Sequence, residues 1–413
     1  MKPLAFILAT ALSLNAITLD DAIERAMENS PLIHKAQSDL RYANISTKEA
    51  QAAYHPTLDA GFNWQDLDKT TTFSFAPTYR YNLSAKYNLF NGFADQALVD
   101  ARDYESAAQQ LLLTAKKSDV KLQVINAYTA YLKAKKSILT QKDQYDSLQR
   151  SYDDTFIRYE QGIVAKNELL LIDVQRLRAE QELTAAKSML VRTRDNLRRT
   201  LGGLLEEDER VEDFVAEIST PDAFETLLKR TYESRSELQA LYKQRDALES
   251  SYHGATGNYY PRVDLSADYI RNDQERYMGT NLIQVEEQIQ TTLNVSWNLY
   301  NGFSDQSKRQ GALEMITAKD IEIAAMKLDL RNQLTEAYQA FLVAQSLKDV
   351  AARAKESADE NFRITDDRYG YGQVDTLTML TAQSERTSAH NAYNNAYYDL
   401  YTAMMAIERV SGE

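Results

Sequence analysis

The chain has 413 residues, no cysteine and a formal net charge of −13. Without cysteine there is no disulfide framework, no thiolate chemistry and no lipidated N-terminal cysteine. The negative balance excludes the broad basic footprint of a nucleic-acid binder, and His34, His55, His253 and His390 are too scattered to suggest a metal site.

Residues 1–16 read as a signal peptide: Lys2 supplies the charge, Leu4 to Leu14 the apolar stretch, and Asn15-Ala16 the cleavage edge. No later run is apolar for long enough to be a transmembrane helix, but strands of a membrane barrel need only alternate. Leu19 to Asn29 has the pattern of a short amphipathic helix. Pro31 suits the first turn of a second, which Tyr54-His55-Pro56 stops.

Two alternating stretches come next, at about 57–67 and 78–90. In the second, Tyr79, Tyr81, Leu83, Ala85, Tyr87 and Leu89 fall on one face, and Arg80, Asn82, Ser84, Lys86 and Asn88 on the other. A long helical pattern then starts at Asn91 and Asp95, with no glycine between Gly92 and Gly162. Ile125, Tyr128, Leu132, Leu148 and Tyr152 recur at helical steps. A helix of this length extends about 100 Å and must lie against other long helices. Gly162 turns the chain, and a return helix closes at Gly202-Gly203. The acidic run Glu206-Glu207-Asp208-Glu209, with Asp213 beyond it, reads as a solvated excursion.

From Pro221 the plan restarts, so 17–220 and 221–413 are expected to be two structural repeats. The second holds strands at about 262–272 and 287–300 and a helical hairpin at about 302–410, matching a hairpin at about 92–201 in the first. Leu334, Ala337, Phe341, Ala344, Leu347, Ala351, Ala354 and Ala358 mark its seam. Two phrases recur. Tyr87-Asn88-Leu89-Phe90-Asn91-Gly92-Phe93 returns as Trp297-Asn298-Leu299-Tyr300-Asn301-Gly302-Phe303. Arg158-Tyr159-Glu160-Gln161-Gly162 is answered by Arg368-Tyr369-Gly370-Tyr371-Gly372. Such repeats are the strongest signal in the chain.

Four strands cannot close a barrel, so a membrane barrel would need several chains. Its lipid side would carry Tyr81, Leu83, Tyr87, Val295 and Trp297, and its lumen Asn82, Ser84, Asn294 and Ser296. A secreted coiled-coil structural or adhesive protein without a pore is the alternative. Nothing points to an enzyme: no Gly-rich phosphate loop or nucleophile elbow appears.

The duplicated helix–strand–strand–long hairpin plan, with its two glycine tips, resembles the TolC-like outer membrane efflux proteins over essentially the whole mature chain. These are exit ducts of efflux pumps and type I secretion systems. The resemblance implies a mainly α fold with a membrane β-barrel portion: a homotrimer with a twelve-stranded barrel in outer-membrane lipid and an α-helical tunnel in the periplasm of a Gram-negative cell. It implies no cofactor and no catalytic residue. Its tips, here Arg158, Tyr159, Gly162, Arg368, Tyr369 and Gly372, would dock a periplasmic adaptor (membrane fusion) protein that links the duct to an inner-membrane transporter. Some members ring the entrance with two aspartates; the matching places hold Thr378 and Thr381, with Asp375 one turn nearer the tip. Ala165 and Asp375 stand where family tips often carry Ser or Thr. Tyr369 and Glu168 occupy the places of a tyrosine–acid latch.

Overall fold

The computed structural model describes residues 16–69, 78–206, 209–215, 218–274 and 287–412. Residues 1–15 of the expected signal peptide 1–16, together with Glu207 and Asp208 of the acidic run, lie outside them. The order is α1 (Leu19–Asn29), α2 (Pro31–Gln51), β1 (Thr57–Gln65), β2 (Thr78–Asn91), α3 (Ala94–Glu160), α4 (Lys166–Thr200), α5 (Phe224–Ser234), α6 (Ser236–Thr256), β3 (Arg262–Gln274), β4 (Glu287–Ser296), α7 (Ser304–Gly370) and α8 (Thr376–Ser411). The chain is mostly helical with few strands. Two compact units divide it, one made of 1–36, 113–236 and 327–413, the other of 37–112 and 237–326.

The second unit holds the sheet, an antiparallel array in the order β1-β2-β3-β4. Pairing sorts the side chains by face. Phe62 lies opposite Tyr81, Ala60 opposite Leu83, Tyr87 opposite Leu265 and Val263 opposite Val295. On the other face Ser84 donates to Asp268 at 2.5 Å and Asn88 to Asp264 at 3.0 Å. The apolar face stays uncovered: Leu58, Trp64, Leu83, Ile289 and Leu293 are all exposed. Two details depart from simple alternation. A bulge makes Leu89 the extra residue of β2, so Phe90 rather than Leu89 lies opposite Val263. And β4 stops at Ser296, leaving Trp297 past the strand, where its ring N–H donates to the Tyr259 carbonyl.

Each strand-to-helix phrase makes the same turn. Gly92 and Phe93 have φ of 71° and 68°, Gly302 and Phe303 68° and 66°. Phenylalanine in this left-handed region is strained, and the preceding glycine confines the cost to one residue. Gly92 lies against the 3₁₀ turn Gly257–Tyr259: a Cβ there would meet the Gly257 carbonyl oxygen at 2.2 Å. Phe93 meets Tyr260 edge-on at 5.9 Å.

In the first unit the core is built from α3, α5, α7 and α8 around Ile125, Leu227, Leu334, Phe341, Leu400 and Ile407. A strap at 209–215 crosses these helices. Ile17 bridges Val211 in parallel, and the buried Tyr128 hydroxyl lies 2.6 Å from the Glu212 carbonyl. Phe214 stacks among Tyr128, Tyr398 and Tyr401. The acidic stretch is therefore not freely solvated at its described ends. Glu209 pairs with Arg25 at 2.7 Å, and Asp213 takes Lys136 at 2.6 Å and the Tyr398 hydroxyl at 2.7 Å. Cations from distant parts of the chain pull these carboxylates onto the helices.

Gly92 and Gly162 share a φ of 71°, but nothing lies within 4 Å of a Cβ at Gly162. Gly162→Ala is expected to cost only the conformational strain, about 1–2 kcal/mol. Gly92→Ala adds the clash with Gly257. Thermal unfolding followed by circular dichroism in detergent should show the larger fall in midpoint for Gly92→Ala.

Candidate functional site

The site is built where α3 turns into α4 and α7 into α8, within the first unit. Both turns are the same Schellman closure. Ile163 N–H bonds the Arg158 carbonyl and Gly162 N–H that of Tyr159; Gln373 bonds Arg368 and Gly372 bonds Tyr369, all at 2.9 Å. Gly162 and Gly372 take the left-handed conformation, at 71° and 69°. The two turns differ in how the next helix is capped. Ala165 is the N-cap of α4 and offers no side-chain bond, whereas Asp375 caps α8 by accepting from the Thr378 N–H at 2.8 Å. Hydrogen bonds from Thr378, first from its side chain and then from its backbone, hold the Asp375 carboxyl below the usual range.

Tyr369 joins the two hairpins. Its ring packs on a small core of Leu148, Ile172, Ala179, Met379 and Leu380. Its hydroxyl lies 3.3 Å from Thr155 Oγ1 and 3.4 Å from Thr376 Oγ1. Thr376 Oγ1 in turn donates to Glu168 Oε2 at 3.2 Å. The direct Tyr369–Glu168 bond expected from the sequence is thus replaced by a relay through Thr376, which sits on the first turn of α8 between them. The relay touches α3, α4, α7 and α8.

Arg158 reaches across the tips as well: its guanidinium carbon is 5.8 Å from the centre of the Tyr369 ring, with one nitrogen 3.5 Å from the Gly370 carbonyl. Arg158, Tyr369 and Glu168 are therefore gathered. Arg368 is exposed and Tyr159 half-buried, and neither enters the relay. Asp375, Thr378 and Thr381 are all exposed on α8, with Thr376, Met379, Leu380 and Gln383 buried behind them. Ile163, Leu170, Tyr371 and Leu377 leave apolar side chains exposed around the tips.

Thr155 and Thr376 were not found by sequence reasoning. A signal for the first existed: Thr155 precedes Arg158 by the same step as Thr365 precedes Arg368, and both are buried. Among the described residues no group of acids and histidines could hold a metal ion. No described helix is long and apolar enough to cross a membrane, which says nothing of a barrel.

The family model for the outer membrane efflux protein matches residues 22–203 and 227–413. No curated protein matches the chain. Among solved structures, the Campylobacter jejuni CmeC outer membrane channel is similar with a TM-score of 0.83 at 14% identity, over 95% of this chain and 85% of that one. The open state of the Neisseria gonorrhoeae MtrE outer membrane channel gives 0.82 at 14%, over 95% and 88%. The outer-membrane channel OprN gives 0.81 at 18%, over 95% and 89%. At such identities these structures establish a shared fold, and the family match covers both halves. The chain belongs to the outer membrane efflux protein family, a family of channels rather than enzymes, and is a TolC-like transport protein of the outer membrane that extends into the periplasm.

Proposed function

We propose that three copies of this chain form an exit duct, a twelve-stranded barrel in the outer membrane continued by a helical tunnel whose periplasmic entrance is gated at the tips. The observation that carries this reading is a joint present once in full and once in two open halves. The Gly92 turn is filled by the Gly257–Tyr259 turn of the same chain. The repeated turn at Gly302 has nothing within 4 Å of its Cβ position. The first-half counterpart of Gly257–Tyr259 is the 3₁₀ turn Ala52–Tyr54, whose Ala52 and Tyr54 are exposed. One chain's Gly302 turn can receive the next chain's Ala52 turn. A head-to-tail contact of this kind makes a ring when its rotation closes, as a trimer around one barrel requires.

The sheet supports the same arrangement. Among the described residues its outer strands β1 and β4 each lack a partner on one side, and open edges are not tolerated in hydrocarbon. The exposed apolar face suits lipid, which disfavours the soluble coiled-coil alternative. The face with Ser84, Asn88, Asp264 and Asp268 suits a wet lumen. The two repeats of each chain would then alternate as pseudo-equivalent units around one ring.

Exposed Arg368, Ile163, Tyr371 and Leu377 at the tips fit docking of a periplasmic adaptor that connects to an inner-membrane transporter, in a tripartite pump or a type I secretion system. Asp375, Thr378 and Thr381 would face the closed entrance. Opening would be an outward displacement of α8 that the adaptor favours by binding the open form better.

A charge at a midplane lipid position costs about 2–4 kcal/mol. Leu83→Arg is expected to lower the yield of heat-modifiable trimer in outer-membrane fractions. Ser84→Arg, beside Asp268, is expected to retain it; equal yields would refute the assigned faces.

The relay is the second test. Thr376→Ala removes the link between Tyr369 and Glu168, and a hydrogen bond to a charged group contributes about 1.5–3 kcal/mol. The open fraction of isolated trimers in planar bilayers should rise at least about tenfold. Parent-like conductance would show that the relay does not hold the entrance.

A further inference from the structure

Arg386 lies on α8 about 12 Å beyond Thr378, at 1.5 Å per residue. Its guanidinium is held from two other helices at once. Nη1 donates to Asp143 Oδ2 of α3 at 3.0 Å, and Nε to Asp359 Oδ1 of α7 at 2.9 Å. The guanidinium carbon also lies 5.0 Å from the centre of the Phe362 ring. His390, one turn on, brings Nε2 within 2.7 Å of the same Asp359 oxygen. Lys136 joins these residues from α3, and Lys355, Glu356, Glu360 and Arg363 surround Asp359 on α7. The Arg386 side chain is 25% exposed.

We propose that Arg386 is a positioning residue for the closed entrance: by tying α8 to α3 and α7 together, it limits how far the Asp375–Thr381 end can swing outward. This rests on the gated duct proposed above. The planar guanidinium addresses two carboxylates on different helices from two edges, which a lysine ammonium on one flexible stem reproduces poorly. Phe362 beneath it fixes the plane. The relay at Thr376 holds the end of α8, and Arg386 holds the point about which that end would move.

The test is the open fraction of purified trimers in planar bilayers. Arg386→Gln is expected to open about tenfold more than the parent, the effect of losing a charged hydrogen bond. Arg386→Lys, which keeps the charge but not the two-edged geometry, should be intermediate. If Arg386→Gln gives no trimer, Arg386→Lys and Asp143→Asn carry the test, each expected to raise the open fraction. Parent-like behaviour of these variants beside an open Thr376→Ala overturns the role of Arg386 and leaves the gated duct standing. Opening of Arg386→Gln that Arg386→Lys does not partly reverse also overturns it, because a general loosening of the fold would then be the cause. No conductance from the parent or any variant overturns the duct itself and this assignment with it.

Discussion

A strand in hydrocarbon needs a hydrogen-bonded neighbour on each side, because no water is present to satisfy its free N–H and C=O groups. In this chain β2 and β3 meet that demand and β1 and β4 meet half of it. The uncovered face of Leu58, Trp64, Leu83, Ile289 and Leu293 adds a second demand, for an apolar surrounding. Both are answered if the edges join to copies of the same chain inside a bilayer. The open Gly302 turn and the exposed Ala52 turn make the same demand next to the sheet, since the equivalent Gly92 and Gly257 turns are in contact. An incomplete sheet and an incomplete joint, found side by side, have one common remedy.

The helices of the first unit are held by side-chain chemistry as well as by apolar burial. The strap at 209–215 is fastened by Tyr128, Lys136 and Tyr398. The tips are fastened by the chain of hydroxyls from Thr155 through Tyr369 and Thr376 to Glu168. Between them stands the Arg386 bridge. Each polar link is weak singly and reversible, unlike the packed core around Phe341 and Leu400. The proposed duct, shut at rest and opened by a partner, needs this division: a core that does not move, and an end secured by bonds that a docking event can exchange.

Much of the fold was legible because its patterns are long. Tyr79 to Tyr87 alternates without interruption, and it lies within β2. The glycine-free stretch after Gly92 lies within α3, and Gly162 and Gly372 close their helices through backbone geometry that glycine alone adopts without strain. Features that depend on distant partners were not legible. The bulge at Leu89 arises from its pairing with β3. Glu209 and Asp213 looked solvated because Arg25 and Lys136 are remote in sequence. Leu347 fits the seam of α7 by spacing, yet it is 56% exposed, while Leu334 and Phe341 are fully buried. Thr376 carried no periodic signal at all, although the Tyr369–Glu168 link depends on it.

In the proposed trimer the Gly302 turn of one chain receives the Ala52 turn of the next. The absence of native cysteine makes it directly measurable. Phe303 and His55 are the repeat counterparts of Phe93 and Tyr260, whose rings meet. The measurement is crosslinking of a His55→Cys, Phe303→Cys double variant in intact outer membranes with a short thiol-specific reagent. A ladder of covalent dimers and trimers from the double variant, and from neither single variant, is the predicted result. A band of monomer alone, with both thiols consumed, would contradict the head-to-tail ring.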